Sequence, residues 1–347
     1  MLYVTTRSTR DAFTAPCTLR EDRGADGGLY VPFRLPEFDE AYLASMKVKS
    51  FGQCVAEVLN QFFACRLTGF DVDFAIGRHA CRLAPVNRKI AMAEVWHNQQ
   101  WNFDWTLRRL SAKIRGDEDF SKAPTAWLAV AIRIAVFFGI YGQMCREECL
   151  EPGQSMDIAV AAGDFSAPMA AWFARKIGLP VNTIVAVSNE NSGPWDLFYH
   201  SQLHTDGVAV ATDTPEGDHV VPPGLEWLVS GVLGQEETAR FVDVCRRGRL
   251  YTLTDEEAER LRFGMFSAVI STRRMKTIIS SVRQTHDYLL DPYSALAYGG
   301  LQDYRAKTGE VRPVLLLAEK SPLCAASVVA NALGISFQQL RTQLHLN

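Results

Sequence analysis

Residues 157–191 constrain the fold more than any other stretch. "DIAVAAGDF" reads as a strand entering a glycine turn, "APMAAWFARKIG" as a helix closing at Gly178, and "LPVNTIVAVSNEN" as the next strand with its exit loop. A glycine just past the last helical residue is the usual way to end a helix. Strand, helix and strand in such a short span make a βαβ unit, and that unit demands a parallel sheet. "VRPVLLLAEKSP" followed by "LCAASVVANALG" repeats strand, loop and helix near the end of the chain. Ligands of open parallel sheets sit at the carboxyl ends of the strands. The loops of interest are therefore 163–168, 188–193 and 319–321.

The remainder is less regular. Residues 24–38 read as a turn running into a short strand, because Gly27-Gly28 permits a tight backbone and Leu29-Tyr30-Val31 is β-prone. Residues 50–67 carry Val55, Val58, Leu59, Phe62 and Phe63 at helical spacing. Residues 225–281 read as mostly helical. "TAWLAVAIRIAVFFGIYGQM" (125–144) is long enough to span a bilayer. Its central Arg133 is costly in lipid and favours a buried core helix, started by Pro124.

Composition narrows the function. A chain of 347 residues with net charge −3 gives no electrostatic case for nucleic acid or an anionic membrane. Eight cysteines at scattered spacings suggest reduced thiols, and the start "MLYVTTRSTRD" turns polar at once. Both point to a cytoplasmic protein.

Six segments, in order, resemble threonine synthase, a pyridoxal-phosphate enzyme of fold type II. They are "YVTTRSTRD…GADGGLYVP", "EVWHNQQWNFDW", "AAGDFSAPMAAWFARKIGLPV", "AVSNEN", "DTPEGDHVVPPGLEWLV" and "YLLDPYSALAYGGLQDY". The resemblance implies an α/β fold: a parallel-sheet, fold type II core over residues 111–347 with a small N-terminal domain over 1–110. The same resemblance marks four losses. The family reads Glu-Leu-aromatic-His-Gly-Pro-Thr-x-Ala-Phe-Lys-Asp; here Glu94, His97 and Phe103 match, but Asp104 stands at the lysine. A Schiff base needs an amine, and Lys89 and Lys113 fall outside the motif. The mobile subdomain that follows the lysine helix is missing, since Arg109 leads almost directly into "SAKIRGDEDFSKAPTAW". The family's Thr-Ala-His-Pro, whose Thr meets the pyridine nitrogen, is replaced by Glu319, Lys320, Ser321 and Pro322. Its phosphate loop Gly-Asn-Phe-Gly is replaced by Gly163, Asp164, Phe165 and Ser166, where Asp164 opposes an anion. The resemblance thus implies a protein that has lost pyridoxal phosphate and its subdomain.

Two readings stay open. One is a non-catalytic protein that binds a protein partner or a small amino-acid-like ligand, with Gly163, Asp164, Phe165, Ser166, Asn189 and Asn191 as ligand-binding residues. The other is a cofactor-independent lyase or transferase using Glu94, His97, Asp104 and Glu319 as acid–base groups. Trp96, Trp101 and Trp105 are expected either to fill the vacated cofactor space or to meet a partner. No metal is expected: Cys145/Cys149 and His200/His204 have helical spacing but lack further ligands.

Overall fold

The computed structural model describes residues 1–87 and 89–343. Strands β1 (Leu2–Thr5), β2 (Phe13–Thr14) and β3 (Tyr30–Pro32) form a small sheet in the order β2-β1-β3. Tyr3 anchors it to the body of the protein, its hydroxyl donating to the Phe62 carbonyl at 2.8 Å. Helix α1 (Phe51–Phe63) starts on a capping box, in which Ser50 and Gln53 satisfy each other's backbone N–H. It stops short of residue 67. Asn60 turns the chain back by accepting from Leu67 N–H and donating to Leu67 O.

The main sheet has six strands in the order β10-β7-β6-β11-β5-β4, formed by β4 (Arg82–Asn87), β5 (Ile90–Glu94), β6 (Met156–Ala161), β7 (Val181–Ser188), β10 (Met265–Val269) and β11 (Val314–Ala318). A separate ribbon joins β8 (Gln202–His204) to β9 (Leu250–Thr252). All main-sheet pairs are parallel except β4 with β5. Helices cover both faces, so the central strands are mostly apolar. All five residues of β11 are buried, with Leu315 and Leu317 facing one core and Val314, Leu316 and Ala318 the other.

One sequence expectation holds and one is corrected. The stretch 225–281 is mostly helical as expected, with β9 and the edge strand β10 between its helices. The first third is not merely irregular. β4 and β5 come from the first 110 residues and complete the main sheet, so the sheet crosses the expected boundary at 110.

The long apolar segment is helix α3 (Ala126–Arg146), which follows α2 (Phe103–Arg115). Of its most apolar 18-residue window, 83% is buried inside the protein. Asp22 caps its first N–H at 2.7 Å, and Pro124 lies just ahead of the N-cap Thr125 rather than in the first turn. The α2–α3 connection, residues 116–125, holds no helix or strand. Helix α4 (Ser166–Lys176) leaves the β6 loop and ends with Gly178 at φ +115°. Helix α5 (Pro292–Thr308) packs on the opposite face of the sheet.

Candidate functional site

The carboxyl ends of β6 and β11, the starts of α2 and α4, and the 216–224 segment enclose a cavity of about 390 Å³. Its apolar wall is built by Leu29, Leu107, Val160, Leu317 and Trp227. Its charged groups are Asp104, Asp164, Glu216 and Glu319 against Arg133 and Lys320, with His219 and Tyr293 beside them.

Each cation is already matched. Arg133, the charge inside apolar α3, forms a two-pronged bridge with Glu319, Nε to Oε1 at 2.7 Å and Nη2 to Oε2 at 3.1 Å. Burial alone would lower the Arg133 pKa; Glu319, with Asp164 and Asp104 beyond it, holds the pKa above the ordinary arginine range. Lys320 donates to Glu216 and lies 4.5 Å from the Tyr293 ring centre. Burial favours the neutral form of both. It pushes Glu216 up, an effect Lys320 only partly offsets, whereas Glu216 more than offsets it for Lys320 and keeps that amine protonated.

Asp104 sits in the first turn of α2, capped by Asn102, whose Oδ1 accepts from Trp105 N at 3.1 Å. This segment is stitched to the exit of β11. Phe103 N donates to Glu319 O at 2.7 Å, Ser321 N donates to Trp101 O at 2.9 Å, and Asn102 bridges Lys320. Asp104, Glu319 and Lys320 therefore share one wall.

Loop 163–166 follows β6 as expected, with Gly163 at φ +52° and Phe165 at φ +72°. Asp164 spends one carboxylate oxygen on the helix it precedes, accepting from Ser166 N at 2.9 Å. Gly224 donates to Asp164 O at 2.9 Å, and it approaches so closely that a Cβ there would stand 2.8 Å from the Phe165 carbonyl carbon. Phe165 is buried and does not line the cavity.

The expected acid–base set is split. Asp104 and Glu319 line the cavity, but Glu94 and His97 do not. Glu94 is 2% exposed and accepts from Arg82 Nε (2.6 Å), His97 Nε2 (2.6 Å) and Tyr288 OH (2.5 Å). Burial works against its charge, yet these three partners hold its pKa below the usual carboxylate range. Its role is to tie β4, β5 and residue 288 together. Asn189 and Asn191 likewise do not line this cavity. Asn189 donates to Thr212 Oγ1 (2.9 Å) and Asp218 Oδ1 (2.8 Å), and Asn191 exchanges two bonds with the backbone of Val210. They position the segment that carries Glu216.

The tryptophans do not fill the cavity. Trp96 stacks on His97 with centroids 4.1 Å apart, Trp105 lies beside Arg109, and Trp101 is 43% exposed at φ +54°. Asn98 supports this turn, donating to Asn102 O at 2.6 Å. Trp101→Ala is therefore expected to change the unfolding free energy by no more than about 0.5 kcal/mol in a denaturant titration, as at other surface positions. A loss of several kcal/mol would place Trp101 in a core.

Among the described residues no three His, Cys, Asp or Glu side chains cluster to hold a metal. Cys145 is buried and Cys149 exposed, while His200 ends a helix and His204 lies in β8, so the two histidines share no helical face. Sequence reasoning missed Glu216 and Tyr293 as cavity residues, whereas Lys320 lies in the expected loop 319–321. Arg133 did carry a signal, since a charge in a buried apolar helix demands a partner.

Comparison with known proteins gives the fold first. The structure matches the pyridoxal-phosphate-bound threonine synthase of Brucella melitensis with a TM-score of 0.83 at 17% identity, covering 96% of this chain and 92% of that one. Yeast threonine synthase matches at 0.82 and 15% identity, covering 97% and 91%. The fold is thus the one these threonine synthases have. In sequence, the chain matches over residues 2–76 the family described as threonine synthase N terminus. It is similar to threonine synthase of Corynebacterium glutamicum (24% identical over 190 residues, 52% of this chain and 39% of that protein) and to human threonine synthase-like 2 (26% over 174 residues, 49% and 36%). These matches span well under half of each relative's own length.

Proposed function

We propose that this protein has left pyridoxal-phosphate chemistry and keeps its cavity as a binding site for a small polar molecule, in amino-acid-related metabolism of the cytoplasm. The observation that carries the reading is an open cavity whose wall presents Asp104 where the resemblance places the lysine. The other lining residues agree with it. Pyridoxal phosphate would need an amine for its aldehyde, donors for its phosphate and a polar partner for its ring nitrogen. The helix N-terminus that favours an anion already holds the Asp164 carboxylate, and Glu319 is committed to Arg133. These residues are a poor match for the cofactor. An acid–base enzyme is less well supported, because Glu94 and His97 lie outside the cavity.

The test is the absorbance of the purified protein with added pyridoxal phosphate, followed by borohydride reduction and peptide mapping. No internal aldimine band and no site-specific reduced adduct are expected. Lys320 is the one lysine that lines the cavity among the described residues. Lys113 pairs with Asp71 outside it. A stoichiometric reduced adduct on Lys320 would overturn the reading.

A further inference from the structure

The lining of the cavity also specifies the charge of what it binds. Resting on the reading above, we propose that the cavity selects an organic cation, a ligand carrying an ammonium or guanidinium group, and rejects phosphate. Four carboxylates meet two cations there, and the direct ion pairs are Arg133 with Glu319 and Lys320 with Glu216, while Arg133 acts on Asp164 and Asp104 only through space. Asp104 and Asp164 remain. Among the described residues neither makes an ion pair, and each lines the same cavity from a solvent-exposed position. Asp164 uses one oxygen on Ser166 N–H and leaves the other unclaimed. Among the described residues Asp104 has no hydrogen-bonded partner.

The surroundings fit this charge preference. In most folds with a strand–loop–helix of this kind, the helix N-terminus draws an anion through free N–H groups. Here Asp164 sits in that place, and Gly224 closes over the loop backbone. A phosphate entering would face two carboxylates without ion-pair partners, and although water reaches both, like charges within a few ångströms still repel. A cation would find two acceptors, with Leu107, Leu317 and Trp227 to receive its apolar part. A metal ion is a poorer fit, because the two aspartates lack a third ligating group. The volume of about 390 Å³ lies near the small end of ligand pockets.

The experiment uses the full chain and three probes: 1,4-diaminobutane, its uncharged counterpart 1,4-butanediol, and inorganic phosphate. Calorimetric titration and thermal unfolding are read for wild type, Asp104→Asn, Asp164→Asn and the distant surface control Asp243→Asn. The diamine is expected to bind wild type and raise its unfolding midpoint, with butanediol and phosphate well behind. Each cavity variant is expected to lose diamine affinity at least about tenfold, the scale of one charge-assisted contact, while Asp243→Asn keeps it. Asparagine preserves the shape and the capping oxygen, so both variants fold. Equal diamine affinity in all four proteins would overturn the proposal, because binding would lie elsewhere. Phosphate or butanediol binding at least as tightly as the diamine would overturn the charge preference and leave the small-molecule reading standing. Binding of none of the three would also overturn it. The proposed function itself fails on a different readout, the reduced adduct on Lys320.

Discussion

Glu319→Ala is expected to lower the free energy of unfolding by about 3–5 kcal/mol, the usual cost of breaking a buried ion pair from one side. The reason is what remains. The Arg133 side chain is 11% exposed and sits in the middle of α3 among apolar neighbours. A guanidinium does not shed its proton in a protein, so the variant would keep a charge without its two-pronged acceptor. The double variant Arg133→Met with Glu319→Ala is expected to recover most of the loss, since an apolar side chain suits the helix it sits in. Urea titrations of the two single variants and the double variant, compared at unchanged slope, measure this. A loss below about 1 kcal/mol for Glu319→Ala would mean the pair behaves like a surface bridge.

Gly178→Ala is expected to cost about 3 kcal/mol, combining strain and overlap. Gly178 has φ +115°, a conformation that L side chains rarely adopt, and an added Cβ would stand 2.1 Å from the Phe38 carbonyl oxygen. The neighbouring backbone has little freedom to yield. Phe38 N donates to Ile177 O at 2.8 Å, and the Phe38 ring packs 4.9 Å from that of Phe138. The added methyl would thus push residues 37–39 away from α3 and loosen the seat of the N-terminal segment. Thermal and denaturant midpoints test this; a change under about 0.5 kcal/mol would show that the segment moves aside freely.

Those two sites differ in how far the sequence announces them. Gly178 is legible because a helix stop is local: apolar periodicity breaks, glycine follows, and "LPV" begins a strand. The βαβ unit is legible for the same reason, whereas the place of Asp104 beside the strand ends is implied only by the resemblance. Arg133 and Glu319 are 186 residues apart, and only the position of β11 in the sheet brings them together. Each looks like an isolated charge in its own segment. Asn189 and Asn191 mislead for another reason. An amide that anchors a loop and an amide that binds a ligand have the same donors and acceptors, and what separates them is whether Thr212, Asp218 and Val210 fold back within reach. Glu94 and His97 sit in a motif whose counterpart carries the family's chemistry, yet strand pairing with Arg82 and contact with Tyr288 turn them into a structural cluster.

The backbone stitching between residues 101–103 and 319–321 has a mechanical consequence. Asp104, Glu319 and Lys320 ride on a single rigid plate, because main-chain bonds join the start of α2 to the end of β11. The opposite rim, residues 210–218, is fastened mainly through side chains: two asparagines, two threonines, one aspartate and the Glu216–Lys320 bridge. Those side chains are themselves buried, Asn189 and Thr214 at 2% exposure each, so the rim is held by a compact polar knot rather than by strand pairing. The Lys320–Glu216 bridge ties the plate directly to that rim.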